Sequence, residues 1–267
     1  MKVVTFLAAA AAALVATFGA AAQANAASVT VLHGVPGLTV DVYVNGELTL
    51  ESFEPGTVTD PLELPAGDYD IEIREAGAAA DSDPAITGSA SVEDTTNASI
   101  VAHLDEGGAP TLSVFVNDVS QIAAGESRVT VRHTAAAPTV DVLADGSPLI
   151  EGLANPDEAG ADVPAGTYSV AVAPAGTTDA VLGPTDLALE AGTAYFVYAI
   201  GSAEEESLDL LVQTVSGLGA APAGAPAGNS GLAAEEAFPV WLAALLVLGA
   251  AGLAGSGVAL ARARNRA

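Results

Sequence analysis

VTVLHGVPGLTVDVYVNG, residues 29–46, returns a hundred residues later as VTVRHTAAAPTVDVLADG, residues 129–146. Each stretch reads strand, turn, strand. Val40, Val42 and Val44 alternate with Asp41, Tyr43 and Asn45, the period of two that half-buries a strand. Asn45-Gly46 supplies two residues that tolerate positive φ, as a type I′ hairpin turn requires, and Asp145-Gly146 repeats the device. The copies stay in step downstream. Pro65-Ala66-Gly67-Asp68-Tyr69 matches Pro164-Ala165-Gly166-Thr167-Tyr168 at an offset of 99, and ASIVAHL from Ala98 aligns with AYFVYAI from Ala194 at 96. A duplicated domain accumulates such a drift because deletions fall in exposed connections.

Many short strands separated by Gly and Pro turns, with no helix-period segment between the termini, define the fold class. The sequence predicts two tandem antiparallel immunoglobulin-like β-sandwich domains, residues 28–121 and 126–216. The joint from Ile122 to Ser127 is short, which predicts modules placed end to end with limited freedom. Roughly 95 residues per module suffice for a small core. That core must hold without staples, since the chain has no cysteine. Disulfides, thiolate nucleophiles, zinc–thiolate and iron–sulfur sites are thereby excluded.

The ends speak of location. Residues 1–26 carry one positive charge at Lys2, a long apolar run and an Ala24-Asn25-Ala26 cleavage pattern, so they read as a secretory signal peptide. Residues 217–236, built from Gly, Ala and Pro, read as a flexible stalk. Phe238 to Leu260 is an uncharged run of 23 residues, long enough to cross a hydrocarbon core of about 30 Å. Arg262, Arg264 and Arg266 in the tail 261–267 hold that end in the cytoplasm, and Trp241 suits the outer headgroup layer. The expected topology is a single-pass membrane protein with its body outside.

All 33 acidic residues lie between the two apolar ends, beside only Arg74, Arg128 and Arg132. So acidic a surface repels nucleic acid and anionic headgroups; it attracts divalent cations or basic partners, or serves solubility in a salty or acidic setting. No nucleic-acid role is expected. The partners expected are the bilayer, through the C-terminal helix, and an envelope or extracellular component.

The groups that could carry chemistry are few. On the first strand of each copy, residues 29, 31 and 33, and 129, 131 and 133, share a face. His33 and His133 therefore end an apolar row, while Thr130 and Arg132 fall on the opposite, wetter face. Asp41 and Asp141 face away from their flanking valines. One His and one Asp are too few ligands for a metal, and there is no HxH or HExxH pattern to add more. The reading is structural: each imidazole caps a loop by hydrogen bonding to backbone or to a nearby carboxylate, and Tyr69 and Tyr168 lay their rings over a sheet after a Pro-Gly turn. His103 aligns with Ala199, so a site shared by all three histidines is disfavoured. There is no GxSxG elbow. Asp81 with Asp83, and Glu204-Glu205-Glu206, lack the glycine-pivoted spacing of a calcium loop. Asn97-Ala98-Ser99 is the one N-x-S/T sequon. No cofactor is expected.

Together these residues carry a resemblance. His33, Val40-Asp41-Val42-Tyr43, Asn45-Gly46 and Leu64-Pro65-Ala66-Gly67-Asp68-Tyr69 resemble the family of secreted and cell-surface modules called domain of unknown function 4397. His133, Val140-Asp141-Val142, Asp145-Gly146 and Pro164 to Tyr168 repeat the pattern, with Leu143 in place of the tyrosine. The resemblance covers about residues 28–216 and implies an extracellular β-sandwich, often duplicated and often held at a surface. It implies no catalytic or binding residues. A non-catalytic surface interaction or adhesion module is therefore the expected function. The alternative is an exported hydrolase of envelope polymer, which the scarcity of aromatic residues and of nucleophile motifs disfavours.

Overall fold

The short apolar-polar alternations do form strands, seventeen of them, in a computed structural model that describes residues 26–220. In the first module these are β1 (Ala27–His33), β2 (Val40–Val44), β3 (Glu47–Phe53), β4 (Thr57–Val58), β5 (Leu62–Leu64), β6 (Gly67–Glu75), β7 (Ile86–Val92), β8 (Asn97–Leu104) and β9 (Pro110–Val116). The second repeats the order as β10 (Glu126–His133), β11 (Val140–Ala144), β12 (Ser147–Leu153), β13 (Glu158–Pro164), β14 (Gly166–Pro174), β15 (Leu182–Leu189), β16 (Ala194–Ile200) and β17 (Asp209–Val215). One strand, β13, stands where the first copy has the two pieces β4 and β5. Asn45-Gly46 and Asp145-Gly146 take positive φ throughout, as the hairpin turns require.

Each module is a two-layer sandwich. In the first, β3-β2-β6-β7 faces a sheet in which β1 lies between β8 and the short pair β4 and β5, with β9 beyond β8. In the second, β12-β11-β14-β15 faces β13-β10-β16-β17. The expectation of wholly antiparallel sheets is corrected here, because β1 runs parallel to β8 and β10 parallel to β16. These partners are distant in sequence, and a hairpin-scale pattern carries no record of which distant strands meet. Val29, Val40, Val42, Ile71, Ile73 and Ile100 build the first core, and Val129, Val131, Val140, Val142, Val172 and Val197 the second.

The register also corrects the alignment of the repeat. Val29 pairs with Ala98, whereas Val129 pairs with Tyr195. The last copied strand is therefore offset by 97, and His103 corresponds to Ile200 rather than Ala199. A one-residue slip exchanges the two faces of a strand. Corrected, it places Ile100 with Val197 in the cores and Val101 with Tyr198 on the opposite face.

That opposite face is covered. Leu32, Val101 and Phe115 of the first module cluster with Phe196, Tyr198 and Ile200 of the second, so the modules pack sheet on sheet and not end to end. All seven residues of β16 are buried, as are the last seven of β8. Continuous apolar runs of this kind mark strands covered on both faces. The contacts are reciprocal. Gly34 abuts Ile200, and their counterparts Thr134 and His103 meet in turn. Among the described residues no helix is long and apolar enough to cross a membrane. The expected span (238–260), tail (261–267), signal peptide up to Asn25 and stalk from residue 221 onward lie outside them.

Candidate functional site

β1 ends at His33, and the chain then turns back through Pro36-Gly37 to enter β2. The ring is fully buried, and its Nε2 stands 2.6 Å from the Leu38 carbonyl oxygen. A carbonyl only accepts, so Nε2 carries the proton and donates. His133 is placed alike, with Nε2 at 3.0 Å from the Pro138 oxygen. Each ring thus closes the loop between the first two strands of its module. Burial lowers the pKa of His33, and the hydrogen bond to Leu38 opposes that shift only in part. Its neutral form is the one that suits the site. The ring lies against Phe53, 5.7 Å between centroids and 25° between planes.

Asp41 answers to a different loop. The pairing of β2 with β3 slips between Val40 and Tyr43, and Ser52 sits there at φ 52°. The bulge turns the Ser52 N–H onto Asp41 Oδ1 at 2.7 Å, while Gly77 donates to Oδ2 at 3.0 Å. In the second copy Gly152, at φ 67°, and Gly176 donate to the two oxygens of Asp141, both at 2.7 Å. Each carboxylate therefore ties a bulge in one edge strand to the turn after β6 or β14. Among the described hydrogen bonds neither histidine bonds the aspartate of its copy. The two residues the sequence singled out are brought to separate jobs, not to one site.

Tyr69 donates its hydroxyl to the Pro65 oxygen at 2.6 Å, and Tyr168 to Pro164 at 2.8 Å. Asp81, Asp83 and the run Glu204 to Glu206 are exposed. No three His, Asp or Glu side chains gather as a metal-ligand set among the described residues. Asn97 begins β8, and its side-chain oxygen accepts from Asn117 at 2.6 Å.

The polar group that sequence reasoning misplaced is Arg132. It is fully buried between the modules, not on a wet face. Its guanidinium carbon lies 4.5 Å over the Phe115 ring of the other module and 4.9 Å over Phe196. Nε donates to Glu158 at 2.7 Å and Nη1 to the Tyr198 hydroxyl at 2.6 Å. Tyr198 donates onward to Gln213 Oε1, which also accepts from Ser99 at 2.8 Å, and Gln213 Nε2 donates to Thr30 at 3.1 Å. Burial raises the pKa of the Tyr198 phenol, against the opposing charge of Arg132. His103 also lies at this interface, bonded to Leu104 and Ser113, and burial lowers its pKa. The sequence did hold one signal for this cluster. Phe196 and Tyr198 alternate with Tyr195 and Val197, so both faces of their strand carry large apolar or aromatic residues.

A buried arginine with a hydroxyl and a carboxylate can do acid–base chemistry only if a substrate reaches it. Here the aromatic rings cover its face, and the hydrogen bonds run from one module to the other. The geometry is that of a polar clasp between modules. The profile of the family described as Domain of unknown function (DUF4397) matches residues 27–143 and again 134–226. No curated protein matches the chain.

Proposed function

We propose that this chain, which belongs to the DUF4397 family through both of its halves, is a membrane-anchored extracellular protein serving a non-catalytic surface interaction such as adhesion. One observation carries the reading. The side chains that could perform chemistry, His33, Asp41 and their counterparts His133 and Asp141, are all engaged by backbone groups of their own modules. In this reading those four residues, with Tyr69 and Tyr168, are scaffold.

What the molecule offers to a partner is its exterior. Glu47, Glu51, Asp68 and Asp70 are exposed on β3 and β6, and Glu151 and Asp186 on β12 and β15. Such faces favour a basic or cation-bearing envelope component and disfavour nucleic acid. The uncharged run over 238–260 serves as the anchor. The stalk expected over 217–236 starts beyond Ala220, because Leu218 is bonded to Ile122 and Gly192 and Ala220 to Ile122. It holds the modules at 28–121 and 126–216 outside. The sandwiches are immunoglobulin-like in this reading. Each of Tyr69 and Tyr168 bonds back to a carbonyl four residues upstream, in the manner of the tyrosine corner of that fold.

The test combines topology with binding. Protease added to intact cells should cut in the stalk and release a folded fragment, while a tag on the C-terminus stays protected. Full-length chain in vesicles should retain an envelope component at low salt and release it unchanged at high salt. Turnover of an envelope polymer that is lost in His33→Ala or Asp141→Asn would establish the hydrolase instead.

A further inference from the structure

Two copies of one scaffold serve as controls for each other, and their sheet edges differ. A strand that ends a sheet leaves a row of backbone groups unpaired, and proteins blunt such edges with charge. Here the edge made by β4 and β5, and the edge strands β3, β12, β13, β15 and β17, each carry an acidic residue. β7 and β9 carry none. Those two lie on one flank of the first module, where Gly88 abuts Leu112.

The hydrogen-bond pattern of β9 shows what that flank presents. Asn117 donates to the Asn97 oxygen at one end of the β8–β9 ladder, and Asp105 donates to the Ala109 oxygen at the other. Antiparallel bonding alternates along a strand. Thr111, Ser113 and Phe115 therefore turn their N–H and C=O groups onto β8, while Leu112, Val114 and Val116 turn theirs outward. Among the described hydrogen bonds none reaches those outward groups. The side chains beside them are bare as well, Val114 being 39% and Val116 66% exposed. The counterpart edge, β17, is blunted. There the Leu210 N–H is held by Asp209 Oδ1 at 2.8 Å, and Thr214 stands where the first copy has Val116.

We infer that β9 is a self-association edge, which pairs antiparallel with β9 of a second copy about a two-fold axis at Val114. That register sets Val114 against its own equivalent and Leu112 against the equivalent of Val116. Outward N–H and C=O groups then meet outward groups, and each facing pair is apolar. Charge selects this occupant. Two like copies, each with a large acidic excess, repel wherever their acids face one another, and the acid-free flank lets them approach. A basic partner is drawn to the acidic faces instead. Asp118, just beyond the strand, is already paired with Arg128 at 3.0 Å. The inference adds to the surface role proposed above and does not depend on it.

The full-length chain has no cysteine, so single substitutions report the geometry. Hydrogen-bonded antiparallel pairs hold their Cα atoms about 5.5 Å apart, within disulfide reach. In detergent with a mild oxidant, Val114→Cys should form a linked dimer at least tenfold faster than Val212→Cys, the matching position of the second module and 42% exposed. In sedimentation equilibrium the unmodified chain should dimerise, and more tightly as salt screens its acids, whereas the envelope contact proposed above weakens with salt. Val114→Lys should weaken the dimer at least tenfold, and Val212→Lys should leave it intact. A chain that stays monomeric at high salt, leaving the edge to a foreign strand, would overturn the pairing. So would equal cross-linking at 114 and 212, or an undiminished dimer in folded Val114→Lys. If that variant does not fold, the cross-linking rates and the unmodified chain decide alone.

Discussion

Asp41 and Asp141 each accept two backbone N–H groups from loops distant in sequence, so their loss strands two donors in each module. Hydrogen bonds to a charged acceptor contribute about 1.5–3 kcal/mol each, and orphaned donors add their own desolvation cost. Asp41→Ala and Asp141→Ala should each destabilise by about 2–4 kcal/mol in urea unfolding. Loss of less than about 1 kcal/mol in both would contradict the anchoring role. The bulge offers a test of opposite sign. Ser52 holds φ 52° where the second copy has Gly152 at 67°. A left-handed conformation costs a residue bearing Cβ about 1–2 kcal/mol, offset in part by the greater unfolded-state freedom of glycine. Ser52→Gly should therefore raise the unfolding free energy by about 0.5–1 kcal/mol in urea, with the Asp41 bond kept because it uses the backbone N–H.

At the scale of elements, the sheet-on-sheet joint rests on Arg132, which bonds Glu158 and Tyr198 while stacking on Phe115. Arg132→Met keeps much of the apolar volume and removes the charge. It should cost about 2–3 kcal/mol, since the stacking and one buried hydrogen bond are lost while Glu158, partly exposed, regains water. A chemical-denaturation midpoint unchanged by this variant would show the clasp to be energetically idle. This joint is also where sequence reading met its limit. Val40, Val42 and the Asn45-Gly46 turn announce their hairpin because the period and the turn chemistry are local. The partners of β1 are not local, and neither the parallel pairing with β8 nor the bulge at Ser52 leaves a pattern within one window. Arg132 misled because alternation assigns a face without saying what covers that face. The histidine and aspartate were legible as a repeated pair, but their partners are backbone atoms, which the sequence does not distinguish.

Over the whole molecule, burial holds His33 and His103 neutral, and that sets a pH dependence. In the unfolded chain a histidine takes its proton near pH 6.5. Above that value both states are neutral and stability is full. As pH falls below it the unfolded state binds protons that the folded state refuses, so stability declines until the lowered folded pKa values are reached. Each histidine contributes a slope of up to about 1.4 kcal/mol per pH unit in that window. The window above pH 5 precedes most carboxylate titration, and His103→Gln should flatten part of the decline there. The same interface governs cooperativity. Two modules joined end to end would unfold in two steps, each with its own midpoint. Here Leu32, Val101 and Phe115 share a buried cluster with Phe196 and Tyr198, and Gln213 bonds Thr30 and Ser99 across the joint. Exposing that face to water costs both partners at once, so the two modules should melt in a single transition whose calorimetric and van't Hoff enthalpies agree. Replacing Arg132 and Gln213 together by alanine should split the transition in two, with the amide exchange of β8 and β16 accelerated before that of β2 and β11. Two transitions already present in the unmodified chain would show that the joint does not couple its halves.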